Sequence, residues 1–122
     1  MSKKILIVDD QDMIRKLVKM TLMSEGYDLF EAKNGTEALA LAHEHSPDLI
    51  ILDVMMPGEY NGIDVCRRLR AEPVFAETVI LMLSAKTQEV DKEEGVFAGA
   101  TDYLVKPFSP ESLLKMIKEY LN

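Results

Sequence analysis

The chain has 122 residues, 48% of them apolar, which is enough for one globular domain with a single core and leaves no room for a second domain. Fourteen basic against twenty-one acidic residues give a net charge of −7, which argues against nonspecific attraction to nucleic acid or anionic membrane and leaves only a local basic patch as a route to either. No run approaches the roughly 18 apolar residues of a transmembrane helix, and Met-Ser-Lys-Lys leads into a short strand rather than a cleavable signal, so the expected location is cytoplasmic.

Short apolar runs alternate with helical patterns along the chain, which predicts five βα units. The first strand, Ile5-Leu6-Ile7-Val8, leads into a helix whose inward stripe is Ile14, Leu17, Val18, Thr21 and Leu22, with Gly26 suited to a left-handed end. Strand 2, near Tyr27 to Ala32, alternates weakly, as a sheet edge does, and Asn34-Gly35 turns the chain. Asn34-Gly35-Thr36 matches a glycosylation sequon but reads as that turn.

Helix 2 is predicted from Thr36 to Glu44 with Ala38, Leu41 and Ala42 inward, stopped by Ser46-Pro47. The runs Leu49 to Leu52 and Val79 to Leu83 suit central strands covered on both faces, with helix 3 between them over Gly62 to Arg70. Helix 4 is predicted over Val90 to Ala98 before Gly99, and Tyr103-Leu104-Val105 forms the last strand. Ser109 and Pro110 open helix 5 as cap and first residue, with Leu113, Met116, Ile117 and Tyr120 inward. Cys66 reads as a small buried hydrophobe, the eight methionines mostly as core, and His43 and His45 as surface residues.

Three of these strands end in chemistry: Val8 runs into Asp9-Asp10, Leu52 into Asp53, and Val105 into Lys106-Pro107. The carboxyl ends of strands in an open parallel sheet are where ligands bind, so these groups converge if strands 1 and 3 are neighbours. That condition selects the order 2-1-3-4-5, doubly wound with right-handed crossovers. Clustered carboxylates repel unless a cation joins them, and an all-oxygen set selects a hard ion such as Mg2+, with Mn2+ the alternative. A lysine beside them is suited to the charge of a phosphoryl group.

Val8-Asp9-Asp10, Asp53-Val54-Met55-Met56-Pro57, Leu83-Ser84-Ala85, Ala98-Gly99-Ala100-Thr101-Asp102-Tyr103 and Lys106-Pro107-Phe108 together resemble the signature of a response-regulator receiver domain of two-component signalling, of the single-domain chemotaxis type. Each motif alone is weak, but all five occur in order and at the right strand ends. The resemblance covers essentially the whole chain and implies one flavodoxin-like receiver domain over residues 1–122. Since flavodoxin and chemotaxis receivers share the 2-1-3-4-5 order, that order belongs partly to the resemblance.

By resemblance Asp53 is the phosphoacceptor, loaded by a histidine kinase or histidine phosphotransfer protein. Asp10 is a direct metal ligand, Asp9 a ligand directly or through water, and the Met55 backbone carbonyl completes the protein share with Asp53 itself. Lys106 is the phosphate partner, and the Lys106–Pro107 bond is expected to be cis. Ser84 and Tyr103 form the switching pair, whose movement changes a surface of helix 4, strand 5 and helix 5 used by a downstream protein or a second copy of the chain. Met55 and Lys86 flank the path of the hydrolytic water.

The implied protein is a signalling switch with no turnover beyond its own phosphorylation and dephosphorylation, and with no direct contact to nucleic acid or membrane. The family usually places its turn glycine eight residues after the phosphoacceptor, whereas Gly62 follows Asp53 by nine, so a bulge is expected before helix 3.

Two other classes fit less well. Asp10-Gln11-Asp12 has the spacing of an Asp-x-Asp phosphatase using Asp10 and Asp12, but such enzymes want a second acidic pair late in the sheet, where this chain has Lys106. A flavin domain of the same winding wants hydroxyl and glycine donors after strand 1 rather than four residues bearing three carboxylates. The start at Met-Ser-Lys-Lys favours a true N-terminus, and the end after helix 5 suits either a stand-alone receiver or the front of a longer regulator.

Overall fold

The structure, a computed structural model, describes residues 2–85 and 98–121. Its strands are β1 (Lys4–Val8), β2 (Asp28–Ala32), β3 (Leu49–Asp53), β4 (Val79–Ala85) and β5 (Asp102–Lys106). They form one parallel sheet in the order β2-β1-β3-β4-β5, the order predicted from the carboxylates. Ile7 pairs with Ile51 and Val8 with Leu52, so the next residues, Asp9 and Asp53, emerge side by side at the carboxyl edge.

Because side chains alternate across a strand, the central strands feed both faces of the sheet. Leu6, Val8, Ile50, Leu52, Ile80 and Met82 pack on the side of α2 (Gly35–His45) and α3 (Gly62–Arg70). Ile5, Ile7, Leu49, Ile51, Leu81 and Leu83 pack on the side of α1 (Asp12–Leu22) and the C-terminal helix (Pro110–Leu121). These strand residues are all essentially buried, each contributing roughly 1.5–3 kcal/mol. Two clusters therefore replace the single core expected from length, because a sheet covered on both sides divides it.

The helix ends follow local chemistry. The Asn34 side chain accepts from the Glu37 amide at 2.9 Å, so the sequon is a helix cap, and Ser46 ends α2 in the left-handed region at φ 48°. Asn61 and Asp64 cap α3 reciprocally at 2.9 and 3.1 Å, and Ser109 accepts from the Ser112 amide at 3.1 Å. Gly26 takes φ +83° after α1.

Some expectations about the helix faces were too broad. Leu17 and Tyr120, read as inward, are exposed, and the Tyr120 hydroxyl donates to Asp102 Oδ2 at 2.6 Å. The methionines are not mostly core: Met56 and Met82 are buried, but Met13, Met20, Met23 and Met55 are open to solvent. Cys66 is buried as expected, and burial pushes its thiol up to about 11. His43 lies at the surface with Nε2 2.8 Å from Glu72 Oε2, and half-buried His45 stacks on Phe30 at 4.0 Å.

The predicted fourth helix lies outside the described residues except for Ala98, which precedes Gly99 at φ +99°. Arg70 closes this region from the end of α3. Its Nε donates to the Gly99 carbonyl at 2.8 Å, Nη1 to the Phe75 carbonyl at 2.7 Å and Nη2 to Thr101 Oγ1 at 3.2 Å. Thr101 Oγ1 also accepts from the Ile80 amide at 2.9 Å, which fixes the entry to β5 against β4.

Candidate functional site

Register and strand length bring the predicted residues to one cleft. Asp9 leaves β1 with its amide on the Ala32 carbonyl at 3.2 Å, and its Oδ1 accepts from the Gln11 amide at 2.9 Å. Asp53 is the last residue of β3, and Ala85 pairs with Lys106 across β4 and β5. Carboxylate oxygens of Asp9, Asp10 and Asp53 lie within 4.8 Å of one another. The cleft they open on measures ≈ 260 Å³ and is lined by Asp10, Gln11, Asp53, Met55, Ala85 and Lys106.

Lys106 reaches this cluster from the far strand, with Nζ 3.0 Å from Asp9 Oδ2 and 3.2 Å from Asp53 Oδ1. The Lys106–Pro107 peptide is cis, as the resemblance implied. Burial opposes the ammonium, but the Asp53 charge and the hydrogen bond to Asp9 outweigh it and raise the Lys106 pKa above its ordinary value. The lysine is therefore a fixed cation.

Asp53 is only 4% exposed. Burial and then the neighbouring Asp9 charge push its carboxyl up to about 6, against the pull of Lys106 and the Met55 amide, which donates to Oδ1 at 3.3 Å. Both contacts use Oδ1. Neither contact uses Oδ2, and Asp53 is among the residues that line the cleft.

The acids differ in how they are held. Asp9 is fully buried with both oxygens engaged, by Gln11 and by Lys106, whereas Asp10 is exposed and no described residue holds its carboxylate. Excess negative charge at an oxygen-only site fits a hard divalent cation, which would complete the charge balance that one lysine leaves unfinished. Asp12 stands apart on the first turn of α1, paired with Arg15, so the Asp-x-Asp geometry of a phosphatase is not assembled.

Ser84 is buried near the end of β4, with Oγ 3.3 Å from the Ala85 carbonyl, a long contact that a better acceptor would displace. Tyr103 is half-buried on β5, packed against the α2–α3 cluster. Lys86 lies outside the described residues.

The loop after β3 runs from Val54 to Asn61. It leaves at Val54, turns at Gly58 with φ +100°, and returns so that the Gly62 amide donates to the Val54 carbonyl at 3.1 Å. Tyr60 packs beside Gly35, with its ring under the Arg68 guanidinium at 4.4 Å, which seats the loop against α2 and α3.

A doubly wound sheet whose first and third strands present three carboxylates to a lysine from the fifth defines a class, the phosphorylation-dependent signalling switches built on a flavodoxin-like fold. Residues 5–118 match the model of the response regulator receiver domain, and the chain belongs to that family. It is 48% identical over 118 residues to the transcriptional regulatory protein ResD of Bacillus subtilis, covering 97% of this chain and 48% of that protein. It is 46% identical over 121 residues to the alkaline phosphatase synthesis transcriptional regulatory protein PhoP of the same organism, covering 99% and 49%. The chain thus spans about half the length of these curated relatives. The chemotaxis response regulator CheY4 of Vibrio cholerae matches along its entire length, with a TM-score of 0.92, 42% identity and coverage of 99% of this chain and 100% of that one.

Proposed function

We propose that Asp53 is the phosphoacceptor of this receiver domain, taking a phosphoryl group from a histidine kinase or histidine phosphotransfer protein. The observation that carries this reading is the setting of its carboxylate: Oδ1 is held by Lys106 and the Met55 amide, Oδ2 takes neither contact, and Asp53 lines the cleft. Oδ2 attacks phosphorus, the new P–O bond forms as the bond to the donor breaks, and the donor leaves with the electron pair.

An ionised carboxylate needs no separate base, so the obstacle is the approach of an anion to an anion. Lys106 lowers that barrier by placing a cation beside the attacking carboxylate. The carboxylates of Asp10 and Asp53 and the carbonyl of Met55 are the groups proposed to hold Mg2+, with Asp9 as an outer partner. The ion, when bound, neutralises charge on the phosphoryl oxygens.

Once Asp53 carries the phosphoryl group, Ser84 Oγ exchanges its long contact with Ala85 for a phosphoryl oxygen, and Tyr103 turns into the space behind it. The output is a changed surface formed by the predicted fourth helix, β5 and the C-terminal helix, read by a downstream protein or a second copy of the chain. Residues 1–122 act here as one unit, with no turnover beyond self-phosphorylation and self-dephosphorylation.

The test is incubation with Mg2+ and acetyl phosphate, borohydride trapping and peptide mass spectrometry. One label at Asp53, lost on chelation and in Asp53→Asn, is expected. Label elsewhere, or uptake indifferent to chelator, overturns the reading.

A further inference from the structure

Among the described residues, Met13, Met20, Met23 and Met55 are open to solvent and Met56 and Met82 are buried. Only the open thioethers are accessible to a dissolved oxidant. Three of them lie on or just after α1. Met55 is 59% exposed and lines the cleft that holds Asp53 and Lys106. Its position is unusual in chemical terms: an oxidisable, weakly polar sulfur at the mouth of a site whose other lining side chains are mostly charged or amide-bearing.

We propose that Met55 is an oxidation site through which hydroperoxides shorten the phosphorylated state of Asp53. The sulfur lone pair attacks one oxygen of hydrogen peroxide, an S–O bond forms as the O–O bond breaks, and the transferred oxygen gives its proton to the departing hydroxide. Sulfur loses two electrons, and the peroxide is reduced to water. The product is a sulfoxide.

The change matters because a thioether is a poor hydrogen-bond acceptor, whereas a sulfoxide oxygen is a strong one. Hydrolysis of an aspartyl phosphate requires a water to approach phosphorus opposite the Asp53 oxygen, forming one P–O bond as the other breaks and shedding a proton to the phosphate or to solvent. A sulfoxide at position 55 accepts one hydrogen of that water and turns its lone pair toward phosphorus. The carboxylate is regenerated and inorganic phosphate released. An oxidant would thereby silence the switch without touching its kinase.

This inference rests on Asp53 being the phosphoacceptor. Labelling of the untreated protein at Asp53 reads that premise, and the decay rate after oxidation reads the inference. Purified protein is treated with hydrogen peroxide, the excess is removed with catalase, and sulfoxides are mapped by peptide mass spectrometry. The protein is then loaded with Mg2+ and acetyl phosphate, the donor removed and decay followed. Met55→Leu and the triple variant Met13→Leu, Met20→Leu, Met23→Leu are run in parallel, each against its own untreated sample.

Wild type and the triple variant are expected to decay roughly 2- to 10-fold faster after oxidation, the effect of one added net hydrogen bond. Met55→Leu is expected to decay at its own untreated rate, and methionine sulfoxide reductases to restore the slow decay of wild type. The inference is overturned if Met55 stays reduced while the α1 methionines oxidise, if its sulfoxide leaves decay unchanged or slower, or if Met55→Leu accelerates equally. Failure of untreated protein to be labelled at Asp53 overturns premise and inference together.

Discussion

The backbone of Gly62 presses on the backbone of Asp53 so closely that a Cβ on the glycine would stand 2.0 Å from the Asp53 carbonyl oxygen. The first residue of α3 and the proposed phosphoacceptor are thus seated on each other, and the loop between them closes over this contact. Position 62 is a glycine because nothing larger fits, not because the backbone there takes a left-handed turn.

Gly62→Ala should therefore destabilise the domain by about 2 kcal/mol or more and slow phosphorylation, since Asp53 must move to admit the methyl group. Gly26→Ala makes the comparison, because its site has open space and only the strain of φ +83°. Urea unfolding and acetyl phosphate labelling of both variants check this. Equal losses of stability with normal labelling in both would mean that the Asp53 contact has no bearing on the site.

The two adjacent acids should not contribute equally to metal binding. Asp9 is already engaged by Lys106 and the Gln11 amide, while Asp10 is exposed to the cleft. Asp10→Asn should weaken Mg2+ binding on the order of 100-fold or more and Asp9→Asn on the order of 10-fold, the effect of an outer partner. Titration of each variant gives the order. The reverse order would place the ion on Asp9.

Burial and the Asp9 charge raise the Asp53 pKa from 3.8 to about 6. The folded chain then binds that proton more tightly than the unfolded chain, so the contribution of Asp53 to stability is fully present below pH about 4 and is lost as pH rises to about 6. The shift of about 2 units corresponds to roughly 3 kcal/mol as an upper figure. Asp53→Asn should thus be more stable than wild type by roughly 1–3 kcal/mol at pH 7 without Mg2+, with the gain gone below pH about 4. Denaturant unfolding across pH measures it, and Mg2+ should narrow the gap by binding the folded wild type.

Decay of the phosphoprotein offers a fourth measurement. A thioether at position 55 holds water poorly, so Met55→Asn should hasten decay roughly 2- to 10-fold by supplying an amide. The decay is followed after donor removal. Unchanged or slower decay in the variant would show that the side chain at 55 does not limit the placement of water.

Much of this was legible in the sequence because it depends on local pattern or on strand ends. The bounds Gly62–Arg70 and the cap at Ser109 are set by neighbouring residues, and the adjacency of strands 1 and 3 follows once Asp9 and Asp53 must meet, whereas Asn34, read as a turn, caps α2. Periodicity finds a helix face but not its width. Leu17 and Tyr120 continue inward stripes yet are exposed, because nothing in the pattern tells how far the sheet extends beneath them. The methionines misled for a related reason: their flexible side chains suit a core and a surface alike, and only packing decides.

The convergence of Lys106 with the acids was expected from the strand ends, but which atoms pair within the cluster was not. Asp9 was expected as a ligand directly or through water, and its hydrogen bond to Lys106 joins positions 97 residues apart. Arg70 gave no signal at all, since a basic residue at a helix end is usually solvated and its three acceptors come from separate turns of the chain.

Those three bonds set a mechanical condition on the last strand. Thr101 is tied to Arg70 and to the Ile80 amide, while at the other end of β5 Lys106 meets the carboxylates of Asp9 and Asp53. β5 is thus tied at both ends and along its ladder with β4, which opposes sliding past its neighbour.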